Sequence, residues 1–121
     1  MPRAIASSSP LLRIRLILGD GRALGPGKAD LLDAIVVTGS IAAAGRAMSM
    51  SYKRAWQLVD DLNRSFKAPL VSTSKGGGRG GGAELTAVGR DVLAAYRAIE
   101  RKAQQSAAAE LKTLDRLVER K

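Results

Sequence analysis

Three features predict a mainly α fold with a small β wing, a winged helix-turn-helix with a long C-terminal dimerisation helix. Residues 40–66 read as a short small-residue helix, a tight break and a longer helix with a basic first turn and an apolar face. Residues 69–86 read as two β-leaning runs around a tip of six glycines and one arginine. From Thr86 onward a helical apolar stripe continues without proline, and no glycine follows Gly89.

A chain of 121 residues has room for one ordinary domain and an extension. Apolar residues make up 45% but aromatics only 3%, so Ala, Leu, Ile and Val must build the core around Tyr52, Trp56, Phe66 and Tyr96. Twenty Lys and Arg against eleven Asp and Glu give a net charge of +9, which favours a polyanionic partner. The chain has no cysteine and no histidine. That removes thiolate nucleophiles, imidazole bases, disulfides and zinc ribbons. Asp60, Asp61 and Glu84 have no partner base or metal set, so the expectation is no catalytic site, no metal, no cofactor and no enzyme. Arg13 and Arg15 break the run Leu11–Leu18 too early for a membrane span or signal core, which predicts a soluble cytoplasmic protein without a membrane partner.

Residues 1–10, with two prolines and three serines, are expected to form a mobile arm ahead of a domain over 11–105. Leu12, Ile14, Leu16 and Leu18 alternate with Arg13 and Arg15, the period of a strand with one wet face. Gly19-Asp20-Gly21 and Gly25-Pro26-Gly27 then mark a turn and a loop. The loop is no phosphate cradle, because Arg22 and Ala29 stand where a Walker loop needs Gly and Ser or Thr. A first helix is expected from about Lys28 to Val37, with Leu31, Leu32, Ile35 and Val36 on its core face. Gly39 stops it, and Asp30 and Asp33 suit its early turns.

Ser40 has the chemistry to cap the second helix, which offers Ile41, Ala44 and Ala47 as contacts and Ala42, Ala43 and Gly45 as space-savers. Small residues allow the steep close crossing that a helix-turn-helix requires. The third helix starts near Ser51 and runs to about Phe66. Its apolar positions Tyr52, Ala55, Leu58, Val59, Leu62 and Phe66 recur at steps of three and four. Lys53, Arg54 and Gln57 lie on its other face, followed by Asp60 and Asp61. A recognition helix meets DNA with its N-terminal residues, so the charge order fits. Trp56, between the two faces, is expected mainly to pack.

Pro69 ends the helix and starts the run Leu70–Lys75; a return strand is expected over 83–86. Lys75 and Arg79 would make the tip between them a phosphate grip. Thr86 is placed to cap a final helix with the stripe Val88, Val92, Tyr96, Ile99 and Ala103. Ala107, Leu111, Leu114 and Val118 extend it through residues 106–121. As one continuous helix it would reach about 50 Å, and its narrow stripe with charged flanks suits a partner helix.

The runs Gly39-Ser40-Ile41 to Arg46-Ala47, Ser51-Tyr52-Lys53-x-Ala55-Trp56, then Asn63, the glycine wing around Arg79 and Leu85-Thr86-x-x-Gly89-Arg90 resemble the N-terminal DNA-binding domain of ModE-type molybdate-responsive regulators. The helix-turn-helix of LysR-type regulators is a looser likeness. The resemblance covers residues 12–105 and implies a dimeric winged helix, with Ser51, Tyr52, Lys53 and Arg54 at the major groove and Lys75 and Arg79 along the backbone. Full-length family members continue into molybdate-binding domains. Since the sequence ends at Lys121, molybdate sensing by this polypeptide is not expected.

The leading expectation is a DNA-binding transcription regulator acting on double-stranded DNA as a homodimer. Its DNA-binding set is Ser40, Arg46, Ser51, Tyr52, Lys53, Arg54, Gln57, Lys75 and Arg79, and its dimerisation set is Leu16, Val92, Tyr96, Ile99 and Ala103. Between Arg46 and Arg79 seven cations face two acids, a local +5. The alternative is a winged-helix interaction module that binds a protein through the C-terminal helix.

Overall fold

A computed structural model describes the backbone of residues 11–76 and 80–119; the side chains of residues 75–81 lie outside that description. The expected N-terminal arm, residues 1–10, and the wing tip also fall outside it. In chain order the elements are β1 (Leu16–Ile17), β2 (Ala23–Leu24), α1 (Pro26–Thr38), α2 (Ile41–Ala47), α3 (Tyr52–Ser65), β3 (Val71–Gly76), β4 (Gly80–Leu85), α4 (Ala87–Ser106) and α5 (Ala108–Leu117). This is the mainly α, winged arrangement that the sequence predicts. No helix among the described residues is long and apolar enough to cross a membrane.

The N-terminal strand is shorter than its pattern. Leu12, Ile14, Leu16 and Leu18 turn partly inward and Arg13, Arg15 and Ile17 outward, as alternation requires. Only Leu16 and Ile17 are paired, antiparallel to Leu24 and Ala23. The partner strand went unforeseen because Gly21 and the Gly25-Pro26 break leave it two residues. α1 starts at Pro26, whose fixed φ suits a first turn, two residues before the expected Lys28. Asp30 therefore falls past the dipole-favoured positions. It is buried and bound by Arg97 of α4 at 2.7 Å. Leu31, Leu32 and Ile35 are fully buried, whereas Val36, assigned to the same face, is exposed with Val37. Ala47 of α2 is exposed as well.

Arg97 joins α1 to α4. It donates to Asp30, to Asp33 at 3.1 and 2.5 Å, and to Glu100 at 2.9 Å. Burial works against its charge, but the hydrogen bonds to Asp30, Asp33 and Glu100 outweigh that and raise its pKa above the ordinary arginine value. Beside it, Tyr96 is buried and donates its hydroxyl to the Ile14 carbonyl at 2.5 Å. Burial and then Glu100 push the phenol upward, so it keeps that proton.

A second junction ties α3, the wing and α4 together at Leu70. Asn63 of α3 accepts from the Leu70 and Val71 amides at 2.8 and 3.0 Å and donates to the Val71 carbonyl at 3.2 Å. The Thr86 amide donates to the Leu70 carbonyl at 2.9 Å, and the Thr86 hydroxyl reaches the Pro69 carbonyl at 2.7 Å while capping α4 through the Gly89 amide at 3.0 Å. Gly89 presses so closely here that a β-carbon would lie 2.1 Å from the Leu70 oxygen.

The wing is antiparallel, with Val71 opposite Leu85 and Gly76 opposite Gly80. The return strand thus begins at Gly80, three residues before the expected start, because the glycines join the ladder instead of the turn. The C-terminal helical run is divided at Ala107 (φ −98°, ψ 11°), so the expectation of one continuous helix gives way to α4 and α5. Gly89→Ala is expected to destabilise the fold by more than about 3 kcal/mol, since backbone must shift to admit the methyl group. A urea melt followed by circular dichroism measures this, and a change below about 1 kcal/mol would contradict the close packing.

Candidate nucleic-acid interface

α3 is set in place by α2. The Ser40 side chain accepts from the Ala43 amide at 3.0 Å, capping α2. Gly45 is buried where a β-carbon would stand 3.0 Å from that of Ala55 on α3, so the two helices cross with no room for side chains between. The break between them is closed by the Met50 amide on the Gly45 carbonyl at 2.9 Å, with Ser49 in the left-handed region at φ 57°. Ser51 then caps α3 through the Arg54 amide at 3.0 Å.

Burial of Ala55, Val59 and Leu62 fixes the rotation of α3. At 100° per residue, Lys53 and Gln57 point directly away from that stripe, with Arg54 on one flank and Tyr52 and Trp56 on the other. All five are exposed. Tyr52 thereby leaves the core stripe that the spacing assigned to it. Trp56 likewise keeps an open edge rather than simply packing, and the two rings meet edge to face at 6.2 Å. The acids deeper in the helix are engaged: Asp60 with Arg64 at 2.9 Å, and Asp61 with Lys28 of α1. The hydrogen bond from Lys28 holds the Asp61 carboxyl below its ordinary pKa against a smaller effect of burial. Among the described residues, Arg46, Lys53 and Arg54 have no acidic partner.

The structure thus gathers Ser51, Tyr52, Lys53, Arg54 and Gln57 on one exposed turn and a half. Arg46 is exposed in the last turn of α2, and Ser40 is half-buried at its start. The side chains of Lys75 and Arg79 lie outside the described residues. Of the dimerisation set, Tyr96 belongs to the chain's own core, because it is fully buried there and its hydroxyl donates to the Ile14 carbonyl. Leu16 and Val92 pack partly on that core, Ala103 is half-buried and Ile99 is 40% exposed. Sequence reasoning missed a groove of about 570 Å³ beside α3, lined by Arg15, Pro26, Lys28, Arg54, Gln57 and Asp61 among others. The alternation around Arg15 was the available signal; the partner across the groove was not.

The family model for bacterial regulatory helix-turn-helix proteins of the lysR family matches residues 28–90, from the first turn of α1 to that of α4. The chain belongs to this family. It is a family of regulators and not of enzymes. The chain is 41% identical over 110 residues to the molybdenum transport protein ModE of Azotobacter vinelandii, covering 91% of this chain and 38% of that protein. It is 48% identical over 80 residues to the molybdenum-pterin-binding protein MopB of Rhodobacter capsulatus, covering 66% and 30%. It is 35% identical over 71 residues to the DNA-binding transcriptional dual regulator ModE of Escherichia coli K12, covering 59% and 27%. The ModE likeness drawn from the motifs therefore holds, and the chain spans well under half the length of these relatives.

Because the folded pKa of Asp61 is depressed, its pairing with Lys28 contributes stability above the unfolded value of about 4 and loses it as pH falls further. Asp61 is half exposed, so the contribution is small, about 0.2–1 kcal/mol. Asp61→Asn is expected to flatten the fall in stability below about pH 4. Urea midpoints compared at neutral pH and below the carboxylate range test this; parallel losses in both proteins would refute it.

Proposed function

We propose that this chain reads double-stranded DNA as a homodimer, in a transcription regulator. α3 enters the major groove, Lys53 and Arg54 reach base edges, and the glycine-rich wing with Lys75 and Arg79 follows the phosphates. One observation carries the reading: the first turns of α3 present uncompensated cations, while the acids further along the same helix are each paired, Asp60 with Arg64 of α3 itself and Asp61 with Lys28 of α1. A helix in the major groove needs positive charge where it meets the bases and none deeper in. Ser40 and Arg46 on α2, and Ser51, Tyr52 and Gln57 on α3, complete the contact set.

Pairing of two chains is supported by the C-terminal helices. Ile99, Leu114, Leu117 and Val118 are all exposed, Leu117 by 75%, and no residue of α5 is buried. A ten-residue helix is marginal in water without an apolar partner, and a second copy supplies one. The same open stripe favours the alternative, a winged helix that holds another protein, which predicts no duplex binding even at about 50 mM salt. Molybdenum appears in the names of relatives of which this chain spans at most 38%, and DNA binding is the activity proposed for residues 28–90.

Genome-wide footprinting with the wild-type chain and Arg54→Ala tests the reading. Loss of discrete peaks with bulk DNA affinity kept is expected, since a good base contact discriminates by about 1–3 kcal/mol; unchanged peaks would remove Arg54 from base readout. Sedimentation velocity should give twice the chain mass, with Leu114→Lys/Leu117→Lys shifting it to one; a wild-type monomer at tens of micromolar would sink the dimer.

A further inference from the structure

The β1–β2 hairpin lies before the matched segment, and neither the reading helix nor the wing uses its charges. Arg13 and Arg15, just before β1, and Arg22, just before β2, are all exposed, against one acid, Asp20 in the turn. Arg15 lies across Gly25, where a β-carbon would stand 3.6 Å from its Cγ, and lines the same groove as Arg54 and Gln57 of α3. Arg22 is exposed and directly precedes Ala23, which lines that groove, and its charge helps lower the pKa of Asp61. The one acid lining the groove, Asp61, is bound by Lys28, which also donates to the Ala23 carbonyl at 3.1 Å. Among the described residues no acid pairs with Arg15 or Arg22. The hairpin and the flank of α3 therefore form one electropositive edge centred on Arg15, Arg22 and Arg54.

An α-helix about 10–12 Å across fills a major groove about 12 Å wide. Side chains opposite the buried stripe then face the bases, and whatever stands on the flank faces a phosphate backbone. The hairpin stands on the Arg54 flank. We propose that Arg15 and Arg22 bind backbone phosphates of the duplex that α3 enters, making the β1–β2 hairpin a sequence-independent clamp on the strand beside Arg54. The inference rests on the DNA-binding reading and extends the footprint beyond residues 28–90.

The test is fluorescence anisotropy of the full chain across a salt series, on a duplex carrying the strongest footprinted sequence and on a scrambled duplex of equal length. Arg15→Ala/Arg22→Ala is expected to lower the magnitude of the slope of log K against log salt by about 1.8, as for two lost phosphate contacts. Affinity should fall by the same factor on both duplexes, leaving their ratio unchanged, and Arg15→Lys/Arg22→Lys should restore most of the slope. Matched thermal melts of the variants separate this from misfolding. A wild-type chain that binds while the alanine variant keeps the full slope would overturn the clamp alone. A wild-type chain that binds neither duplex at about 50 mM salt would overturn the DNA-binding reading and the clamp with it.

Discussion

The position of the wing depends on the polar junction at Leu70. Three elements meet on one peptide: Asn63 from α3 holds its amide, Thr86 at the start of α4 holds its carbonyl, and Gly89 lets the helix come close enough for both. Each bond satisfies a backbone group that the Pro69 break would otherwise leave unpaired inside the fold. The Leu70 side chain is itself fully buried, so apolar packing and hydrogen bonding fix the same point. The wing cannot tilt against α3 without breaking bonds on both sides of that residue. The angle between α3 and the wing is set at this junction.

A second polar feature works differently. Arg97 draws three carboxylates from two helices into one cluster, and two of them, Asp30 and Glu100, are buried. Desolvated charges cost several kcal/mol each unless they are paired with good geometry, so such a cluster orients more than it stabilises. It sets α4 against α1 in one register, and with α4 the direction in which the C-terminal helices leave the domain. The scaffold thus uses its acids internally: Asp30, Asp33 and Glu100 at Arg97, Asp61 at Lys28. That leaves Arg46, Lys53 and Arg54 without an acidic partner among the described residues.

Much of this was legible locally. Ser40, Ser51 and Thr86 could be assigned as caps because a cap bonds to an amide three residues away, and all three do so. The alternation over residues 12–18 correctly gave inward and outward sides, although pairing is confined to two residues. What escaped was set by distant partners. Arg97 meets acids more than sixty positions earlier, and no spacing rule encodes that encounter. Tyr52 fits the helical period of the core and still lies outside, because the buried zone of α3 begins only at Ala55, against Gly45, one turn later than the pattern suggests. Val36 is apolar but exposed: period alone does not tell how wide a helix's covered face will be. The groove beside Arg54 needed β1–β2, α1 and α3 together, and β2 is too short to announce itself.

Gly39 carries a consequence of a different kind. Its amide ends α1 on the Ile35 carbonyl at 2.8 Å, its carbonyl receives the Ala83 amide of β4 at 2.8 Å, and its φ of 74° suits glycine. One residue therefore terminates the first helix, launches the helix-turn-helix and moors the wing. A side chain there would be strained by that φ, so the end of α1, the start of α2 and the mooring of β4 all depend on one backbone angle that glycine adopts freely. A substitution at Gly39 would disturb α1, α2 and β4 together, from a position with no side-chain chemistry of its own.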